Sequence, residues 1–351
     1  MASEITIPRI DIPFAPSRTN PLEDGLYPAT LEWARRFGLV TTDAAALRLR
    51  RYQIDVMVSY YAPTVSDWPA LRLFTDWMTW AALFEDQIDE ATAGLRPDLL
   101  APVLDDFRTI LLDETGSQVR PNPATAALAD LWRRTVDVSP PTWRRRFYDH
   151  MSEAFRCQLR ASVHRATGTP MDVATCMELR GRLGWVAFAH DLQHHTHRVW
   201  LPDTVYCSTA YQRLLWSAAD IIMWTNDLVS YPKEAAAGET SNLALALQAQ
   251  HGLAPQQAVD HVHSLITDRV QVFLEAGREL PGLLGSLHLS DEACSVAEQC
   301  MELLRMLVRG SHDWHLNCER YRPDGDAAAQ EPAFDDLFGV AHDDTKDPTA
   351  P

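Results

Sequence analysis

Residues 214–234 decide how the chain folds, and they read LLWSAADIIMWTNDLVSYPKE. The first half of this stretch is largely apolar, which is typical of a helix buried in a protein core. The second half places three oxygen-bearing side chains four residues apart, namely Asn226, Ser230 and Glu234. Because four residues advance an α-helix by about 400°, these groups form a stripe along one face. The stretch therefore predicts a core helix that carries a row of oxygen ligands.

The row of oxygen ligands suits a hard cation such as Mg²⁺, which prefers oxygen donors. Lys233 adds a positive charge beside Glu234. Pro232 lies inside the row, removes one helix hydrogen bond and costs about 3 kcal/mol, so we expect the helix to bend there. A metal beside an apolar interior favours a ligand with a phosphorylated head and a hydrocarbon body.

A second acidic cluster contains Glu85, Asp86 and Asp89, and it follows the apolar run Trp80 to Phe84. On a helix, Glu85 and Asp89 share a face and Asp86 flanks it. Three carboxylates this close repel one another unless a cation or solvent lies between them. Taken alone, the cluster is typical of a solvated helix end. Together with the first stripe, it predicts two acidic faces that clamp cations between separate helices.

Composition excludes several classes of protein. The chain has 351 residues with 31 basic and 48 acidic side chains, a formal net charge of −17 that argues against nucleic acid as a partner. No apolar run approaches the length of a membrane span, and residues 1–20 lack a signal-peptide pattern. The cysteines show no metal-binding spacing, so we expect reduced thiols in a cytoplasmic protein.

Apolar residues recur at helical spacing along most of the chain. No alternation of apolar and polar residues typical of β-strands, and no internal repeat, is evident. We therefore predict one all-α domain over residues 25–322, an extended segment over 1–24 and a disordered acidic tail over 323–351. The predicted helices cover residues 28–40, 42–61, 67–92, 96–113, 123–136, 139–168, 171–198, 208–238, 241–250, 255–280 and 291–318.

The two acidic motifs together resemble those of the bacterial class I terpene cyclases. Asn226, Ser230 and Glu234 match the second metal motif of that family residue by residue. Residues 85–89 match its aspartate-rich first motif, with Glu85 in the place where aspartate is usual.

Further matches extend the resemblance over nearly the whole folded chain. Arg180 lies upstream of the second motif, where the family keeps an arginine that senses diphosphate. Gly184 falls at the family's helix break, which supplies an effector carbonyl. Trp314 and the pair Arg320-Tyr321 match the C-terminal stretch of the family.

The resemblance implies a single-domain helical bundle around an apolar active-site cavity. It also implies an enzyme that ionises a linear prenyl diphosphate and cyclises the carbocation to a hydrocarbon or alcohol, releasing diphosphate. About three Mg²⁺ ions would neutralise the diphosphate, as metal ions do at other phosphoryl sites. The implied partner is thus a small molecule, and a homodimer is possible.

The resemblance also implies roles for individual side chains. The implied metal ligands are Glu85, Asp86, Asp89, Asn226, Ser230 and Glu234. The implied diphosphate donors are Arg180, Lys233, Arg320 and Tyr321. The effector and the aromatic residues that would steer the cation are Gly184, Trp314, Trp185, Phe188, Phe84 and Trp80.

Three departures from the family pattern affect these expectations. Glu85 carries the usual charge on a longer arm, so we expect Asp86 to be the more important ligand of the first motif. Leu183 stands where a polar residue usually links the sensing arginine to the effector. Ala81 and Ala82 stand where bulky aromatics are common, and the extra space slightly favours C20 geranylgeranyl diphosphate over C15 farnesyl diphosphate.

Two alternative functions remain open from sequence. A chain-elongating prenyl transferase would carry a second aspartate-rich motif, which is replaced here by the Asn/Ser/Glu row. A catalytically impaired prenyl-diphosphate-binding protein would result if Glu85 prevented metal assembly.

A histidine cluster gives a competing signal. His190 and His194 share a helix face at a spacing that suits a transition metal, and His195 and His197 lie beside them. No acidic third ligand is evident, so we interpret the cluster as a solvated, partly titrating helix end.

Overall fold

The computed structural model describes residues 5–90, 92–112, 119–321 and 336–339, and every regular element in these ranges is helical. The predicted all-α fold is therefore confirmed. None of these helices is long and apolar enough to cross a lipid bilayer. The helices are α1 (Glu23–Arg36), α2 (Asp43–Arg51), α3 (Ile54–Tyr61), α4 (Trp68–Glu90), α5 (Pro97–Leu112), α6 (Pro123–Val136), α7 (Pro141–Thr167), α8 (Val173–Leu183), α9 (Val186–His197), α10 (Asp203–Tyr206), α11 (Thr209–Ala237), α12 (Leu243–His251), α13 (Pro255–Ser286) and α14 (Asp291–Asn317).

Two of the predicted helices are broken in the structure. The predicted helix over 42–61 divides into α2 and α3 at Gln53, whose φ of 49° is left-handed. The predicted helix over 171–198 divides into α8 and α9 at Gly184 and Trp185, and Trp185 has a φ of 60°. The second break falls where the resemblance to terpene cyclases places one. Both breaks bring backbone and side chains to one central cavity.

Helix α11 is the central helix of the bundle and packs against α8, α9, α12, α13 and α14. Ser208 begins it by accepting a hydrogen bond from the Tyr211 amide, and Gly238, with a φ of 73°, ends it. The helix continues through Pro232 to Ala237. It therefore presents its oxygen ligands on one continuous element.

Helix α4 forms the opposite wall of the bundle and packs against α1, α3, α6 and α9. Its rear face is aromatic, since Trp80 stacks on Phe84 and both pack against Phe107 of α5. Burial of such large apolar rings fixes the orientation of α4. Its acidic turn is consequently held on a rigid support.

The chain termini add two irregular segments to the bundle. The N-terminal segment packs Ile10 and Ile12 into the core, and α1 begins at Glu23. The predicted disordered tail over 323–351 lies outside the described residues except for 336–339. These four residues differ from the prediction, because Leu337 and Phe338 are buried against the bundle. The division of the chain into the three predicted regions otherwise stays a prediction.

Candidate active site

A cavity of about 270 Å³ lies between α4, α11, the α8–α9 break and α14. Its interior is mainly apolar, and its polar side chains come from α4, α7, α8, α11 and residues 311–321. Apolar and aromatic residues of the lining include Met57, Tyr61, Met78, Leu183, Val186, Ile222, Met223 and Leu307. This arrangement suits a ligand with a charged head and a hydrocarbon body.

The α11 wall, which consists of Asn226, Ser230 and Glu234, faces this cavity together with Lys233. The Ser230 hydroxyl donates to the Asn226 carbonyl at 2.7 Å. Asn242 donates to the Glu234 carboxylate at 2.8 Å, so a second helix holds the end of the row. Burial raises the pKa of Glu234, and the positive charge of Arg180 opposes that shift.

Arg180 reaches the α11 wall from α8. Its guanidinium donates to Asn226 Oδ1 at 2.8 Å and to Asp227 Oδ1 at 2.6 Å. Asp227 is fully buried and also accepts a hydrogen bond from the Leu243 amide at 3.1 Å. The Asn226 amide in turn donates to the Tyr321 hydroxyl at 2.8 Å. Arg180 and Tyr321 are thereby gathered at one end of the row, with their polar groups beside the cavity.

The α4 wall, which consists of Glu85 and Asp89, faces the cavity from the opposite side. Glu85 accepts a hydrogen bond from Gln158 at 2.6 Å and another from the indole of Trp185. Burial and the nearby Asp89 carboxylate raise the pKa of Glu85 to about 8. Two carboxylates on one face raise the energy of each other's charged form, which a bound cation would relieve.

Asp89 lies at the open end of the α4 wall, where 37% of its side chain is exposed. Its carboxylate accepts a hydrogen bond from Arg165 at 3.0 Å. Burial raises the pKa of Asp89 to about 6, and the positive charge of Arg165 opposes this shift. Arg165 also lies 3.7 Å from Glu239, in the turn after α11. This arginine connects the α4 wall to the turn that follows α11.

Asp86 does not line the cavity, in contrast to Glu85 and Asp89. It is 2% exposed and is absent from the cavity lining, because one residue along a helix rotates a side chain by about 100°. Its carboxylate accepts a hydrogen bond from Tyr52 and lies 3.6 Å from Arg320 and 3.4 Å from Arg48. This geometry weighs against Asp86 as a direct metal ligand and indicates that it positions Arg320. Its metal role stays a prediction.

The predicted aromatic residues separate into two groups. Trp185 and Trp314 line the cavity, and the Trp314 indole is fixed by a 2.9 Å hydrogen bond to the Tyr52 carbonyl. Trp80, Phe84 and Phe188 are instead buried in the aromatic core behind the wall. The structure therefore does not bring these three rings to the cavity, because they lie on helix faces turned towards other helices.

Gly184 lines the cavity at the helix break, beside Met223 of α11. A Cβ atom at this position would collide with the Met223 sulphur. Any side chain at 184 would therefore have to displace the Met223 side chain. Ala81 and Ala82 also line the cavity, as the size prediction requires.

The histidine cluster differs from the sequence interpretation. His190, His194 and His195 are buried, with His194 only 1% exposed, and they do not form a solvated helix end. His190 contacts the Tyr211 hydroxyl at 2.8 Å. Burial lowers the pKa of His190 to about 4 and of His195 to about 4, so both are neutral core residues.

Several cavity residues were not identified from sequence. Arg165, Gln158 and Glu239 come from α7 and from the turn after α11, and His315 contacts the Asn226 amide at 3.3 Å. No spacing rule connects these positions to the motifs. The sequence signal for Arg165 is a basic residue next to His164 in the last turn of its helix.

The donor set fits magnesium bound together with diphosphate. Within the described ranges, no three His, Cys, Asp or Glu side chains form a metal site by themselves. Mg²⁺ commonly takes one or two carboxylates and completes its shell with water and substrate phosphate. Asn226, Ser230 and Glu234 supply oxygens for such a site. Arg165 has a buried Nη1 with no hydrogen-bond partner in the described residues, which suits an anion.

Comparison with known proteins agrees with this site. Residues 76–271 match the family model for terpene synthase family 2, C-terminal metal binding, which is more than half of the chain. The matched region contains both walls of the cavity. The chain therefore belongs to the terpene synthase family, and it is an enzyme of the lyase class that acts on prenyl diphosphates.

Individual relatives show the same relationship. The chain is 31% identical to (-)-delta-cadinene synthase of Streptomyces clavuligerus, over 84% of this chain and 89% of that protein. It is also 31% identical to the (+)-T-muurolol synthase of Roseiflexus castenholzii, described as (2E,6E)-farnesyl diphosphate cyclizing, over 90% and 94% of the two chains. The solved structure of wild-type cucumene synthase superimposes with a TM-score of 0.75 at 26% identity, covering 87% of this chain and 99% of that chain.

Proposed function

We propose that the protein is a Mg²⁺-dependent cyclase of farnesyl diphosphate that releases diphosphate and a cyclic C15 hydrocarbon or alcohol. One observation carries the proposal: the α4 wall and the α11 wall face each other across one cavity with an apolar interior. A charged head held between the walls would direct the hydrocarbon chain into that interior.

Each wall would hold the diphosphate head in a different way. Asn226, Ser230 and Glu234 would hold one Mg²⁺ through an amide, a hydroxyl and a carboxylate oxygen, and Glu85 and Asp89 would hold metal on the opposite side. Bound Mg²⁺ would neutralise the negative charge of the diphosphate leaving group. The donors to the diphosphate oxygens would be Arg180, Lys233, Arg320, Tyr321 and, from the structure, Arg165.

The interior of the cavity would protect and steer the cation. Apolar lining excludes water, which would otherwise quench a carbocation. The faces of Trp185 and Trp314 attract positive charge through the ring quadrupole. Gly184 lies at the break between α8 and α9, between Arg180 and Trp185 in the sequence. Its backbone carbonyl would act as the effector.

The structure and the relatives revise the preference for a C20 substrate. Relatives such as the muurolol synthase and a (-)-beta-caryophyllene synthase are described as cyclizing farnesyl diphosphate. The volume of about 270 Å³ is at the small end of ligand pockets, which usually span about 300–1,000 Å³. Met78, Tyr61 and Met223 line the same cavity as Ala81 and Ala82, so large side chains still limit its volume.

A competition experiment tests the proposal. The purified protein is given Mg²⁺ and equimolar C10, C15 and C20 diphosphates, and products are separated by gas chromatography. Predominant cyclic C15 product is expected, and predominant C20 product would contradict the substrate assignment. An elongated diphosphate would indicate a prenyl transferase, and no conversion would indicate an impaired prenyl-binding protein.

Two pocket variants sharpen the test of substrate length. Ala81→Phe and Ala82→Phe each add a ring to the cavity wall and should lower C20 turnover more than C15 turnover. The ratio of the two turnover rates is the measurement. Equal losses for both substrates would show that these positions do not set chain length.

A further inference from the structure

Residues 336–339 lie on the rear face of α4, behind the turn that carries the first metal motif. Leu337 is 1% exposed and Phe338 is 4% exposed, although both belong to a stretch of acidic and small residues. Two buried apolar side chains in such a stretch indicate a docked anchor.

Hydrogen bonds fix this anchor to two helices. The Leu337 amide donates to the Gln87 side chain at 3.2 Å, and Gln87 lies between Asp86 and Asp89 in the first motif. The Leu337 carbonyl accepts from the Ala124 amide at 3.2 Å, which belongs to the first turn of α6 and has no acceptor within its own helix. The Phe338 carbonyl accepts from Asn122 at 3.2 Å.

Ring contacts lead from the anchor to the metal motif. The Phe338 ring lies 5.6 Å from that of Phe84, measured between centroids. Phe84 lies 5.2 Å from Trp185, whose indole donates to the Glu85 carboxylate. Each contact is direct, so a change at Phe338 reaches Glu85 through two rings.

We propose that Leu337 and Phe338 are positioning residues for the first metal motif. They hold Gln87 and Phe84 from behind, and thereby keep Glu85 and Asp89 directed into the cavity. Support of this kind is needed because two like charges on one face repel each other until a cation binds. The inference rests on the proposed metal function of the α4 wall.

Removing the Phe338 ring tests this role. Phe338→Ala should raise the Mg²⁺ concentration for half-maximal turnover about fivefold or more, and should weaken calorimetric binding of Mg²⁺ with inorganic diphosphate by a similar factor. Phe338→Leu, which keeps an apolar anchor, should restore most of the affinity. A lower melting temperature with unchanged Mg²⁺ dependence would overturn the proposal.

A stability control separates positioning from general damage. Leu284→Ala removes a buried side chain from α13, a helix that contributes nothing to the cavity lining in the described residues. It should lower the melting temperature while leaving Mg²⁺ binding unchanged. If it raises the Mg²⁺ requirement as much as Phe338→Ala does, the positioning role is wrong.

Truncations test the whole anchor. A chain ending at Pro323 lacks it and should reproduce the Mg²⁺ defect of Phe338→Ala. A chain ending at Gly339 keeps it and should bind Mg²⁺ like the full chain. Equal Mg²⁺ binding by both truncated chains would overturn the proposal.

A measurement without turnover separates this inference from the proposed function. Calorimetric binding of Mg²⁺ with inorganic diphosphate needs no prenyl substrate, so a protein that binds both but forms no cyclic product would contradict the catalytic proposal alone.

Discussion

The α11 wall and the α4 wall face the same cavity but are built differently. Each wall places its ligands one helical turn apart, but the α11 wall carries an amide, a hydroxyl and one carboxylate, whereas the α4 wall carries two carboxylates. Other elements hold both walls, since Arg180, Tyr321 and Asn242 bond to the α11 wall, and Gln158 and Trp185 bond to Glu85.

The difference in the charge of the two walls determines how each should respond to mutation. The α11 wall carries one negative charge, so its ligands do not repel one another. The two carboxylates of the α4 wall repel each other, so contacts from other helices are needed to keep both directed into the cavity. Loss of a ligand should therefore dominate on α11, and loss of support should dominate on α4.

The largest effect is expected on the α11 wall. Asn226→Ala with Ser230→Ala removes two oxygens of the row and should lower turnover by more than the roughly 10–100-fold typical of losing an outer-shell partner. Steady-state product formation measures the loss, and circular dichroism should show an intact fold. Thr225→Ala is the control, because Thr225 makes the same type of bond to the Ile221 carbonyl, at 2.7 Å, without lining the cavity. Near wild-type turnover of the double variant would contradict the assignment.

A smaller loss is expected at Asp86. Asp86→Asn removes the charge that lies 3.6 Å from Arg320, so Arg320 loses its electrostatic anchor. We expect about a 10–100-fold loss in kcat/KM, measured by initial rates, with weaker binding of inorganic diphosphate. Tyr52→Phe keeps the ring beneath Arg320 and should cost less. If diphosphate binding is unchanged while Mg²⁺ binding is abolished, Asp86 is a metal ligand instead.

Shortening Glu85 should have a moderate effect. Glu85→Asp restores the residue type usual in the family, but the shorter arm cannot keep the bonds to both Gln158 and Trp185. The resemblance to the family by itself predicts a neutral or beneficial outcome, whereas the hydrogen bonds of Glu85 predict about a tenfold loss in kcat. Gln158→Leu removes the donor of one of these bonds and should produce a loss of similar size. A faster Glu85→Asp enzyme would show that the tertiary contacts of the α4 wall are dispensable.

The smallest effect concerns stability against pH in metal-free protein. Because the native pKa of Glu85 is raised from 4.5 to about 8, the folded state holds a proton that the unfolded state has released between these pH values. The free energy of unfolding should therefore fall as pH rises from 6 to 8, by an amount on the order of 1–3 kcal/mol. Urea melts in a chelating buffer measure this slope.

A neutral variant provides the control for the pH slope. Glu85→Gln cannot ionise, so its free energy of unfolding should depend less on pH in the same window. Adding Mg²⁺ with inorganic diphosphate should likewise flatten the slope of the wild-type protein. Identical slopes for the wild-type and variant proteins without metal would show that Glu85 is ionised in the native state.

Sequence predicted those parts of the fold and site that one helix can encode. The spacing of Asn226, Ser230 and Glu234 placed them on one face, and the structure brings all three to the cavity. The break at Gln53 escaped prediction, because no glycine or proline marks it.

Contacts between distant helices were beyond the sequence patterns. Arg165 meets Asp89 across 76 residues, and no periodicity connects them. The inward or sideways direction of Asp86 depends on the rotation of α4 about its own axis, which the aromatic packing behind it sets.

The contact between Gly184 and Met223 has a consequence for how such a cavity diversifies. A side chain at 184 must displace the flexible Met223 side chain, which also lines the cavity, so one substitution there changes two parts of the lining at once. Ala81 and Ala82 project from an unbroken helix, where a larger residue alters only the shape of the chamber. Substitutions on α4 should therefore change the product profile in small steps, and substitutions at the break should change it in larger ones.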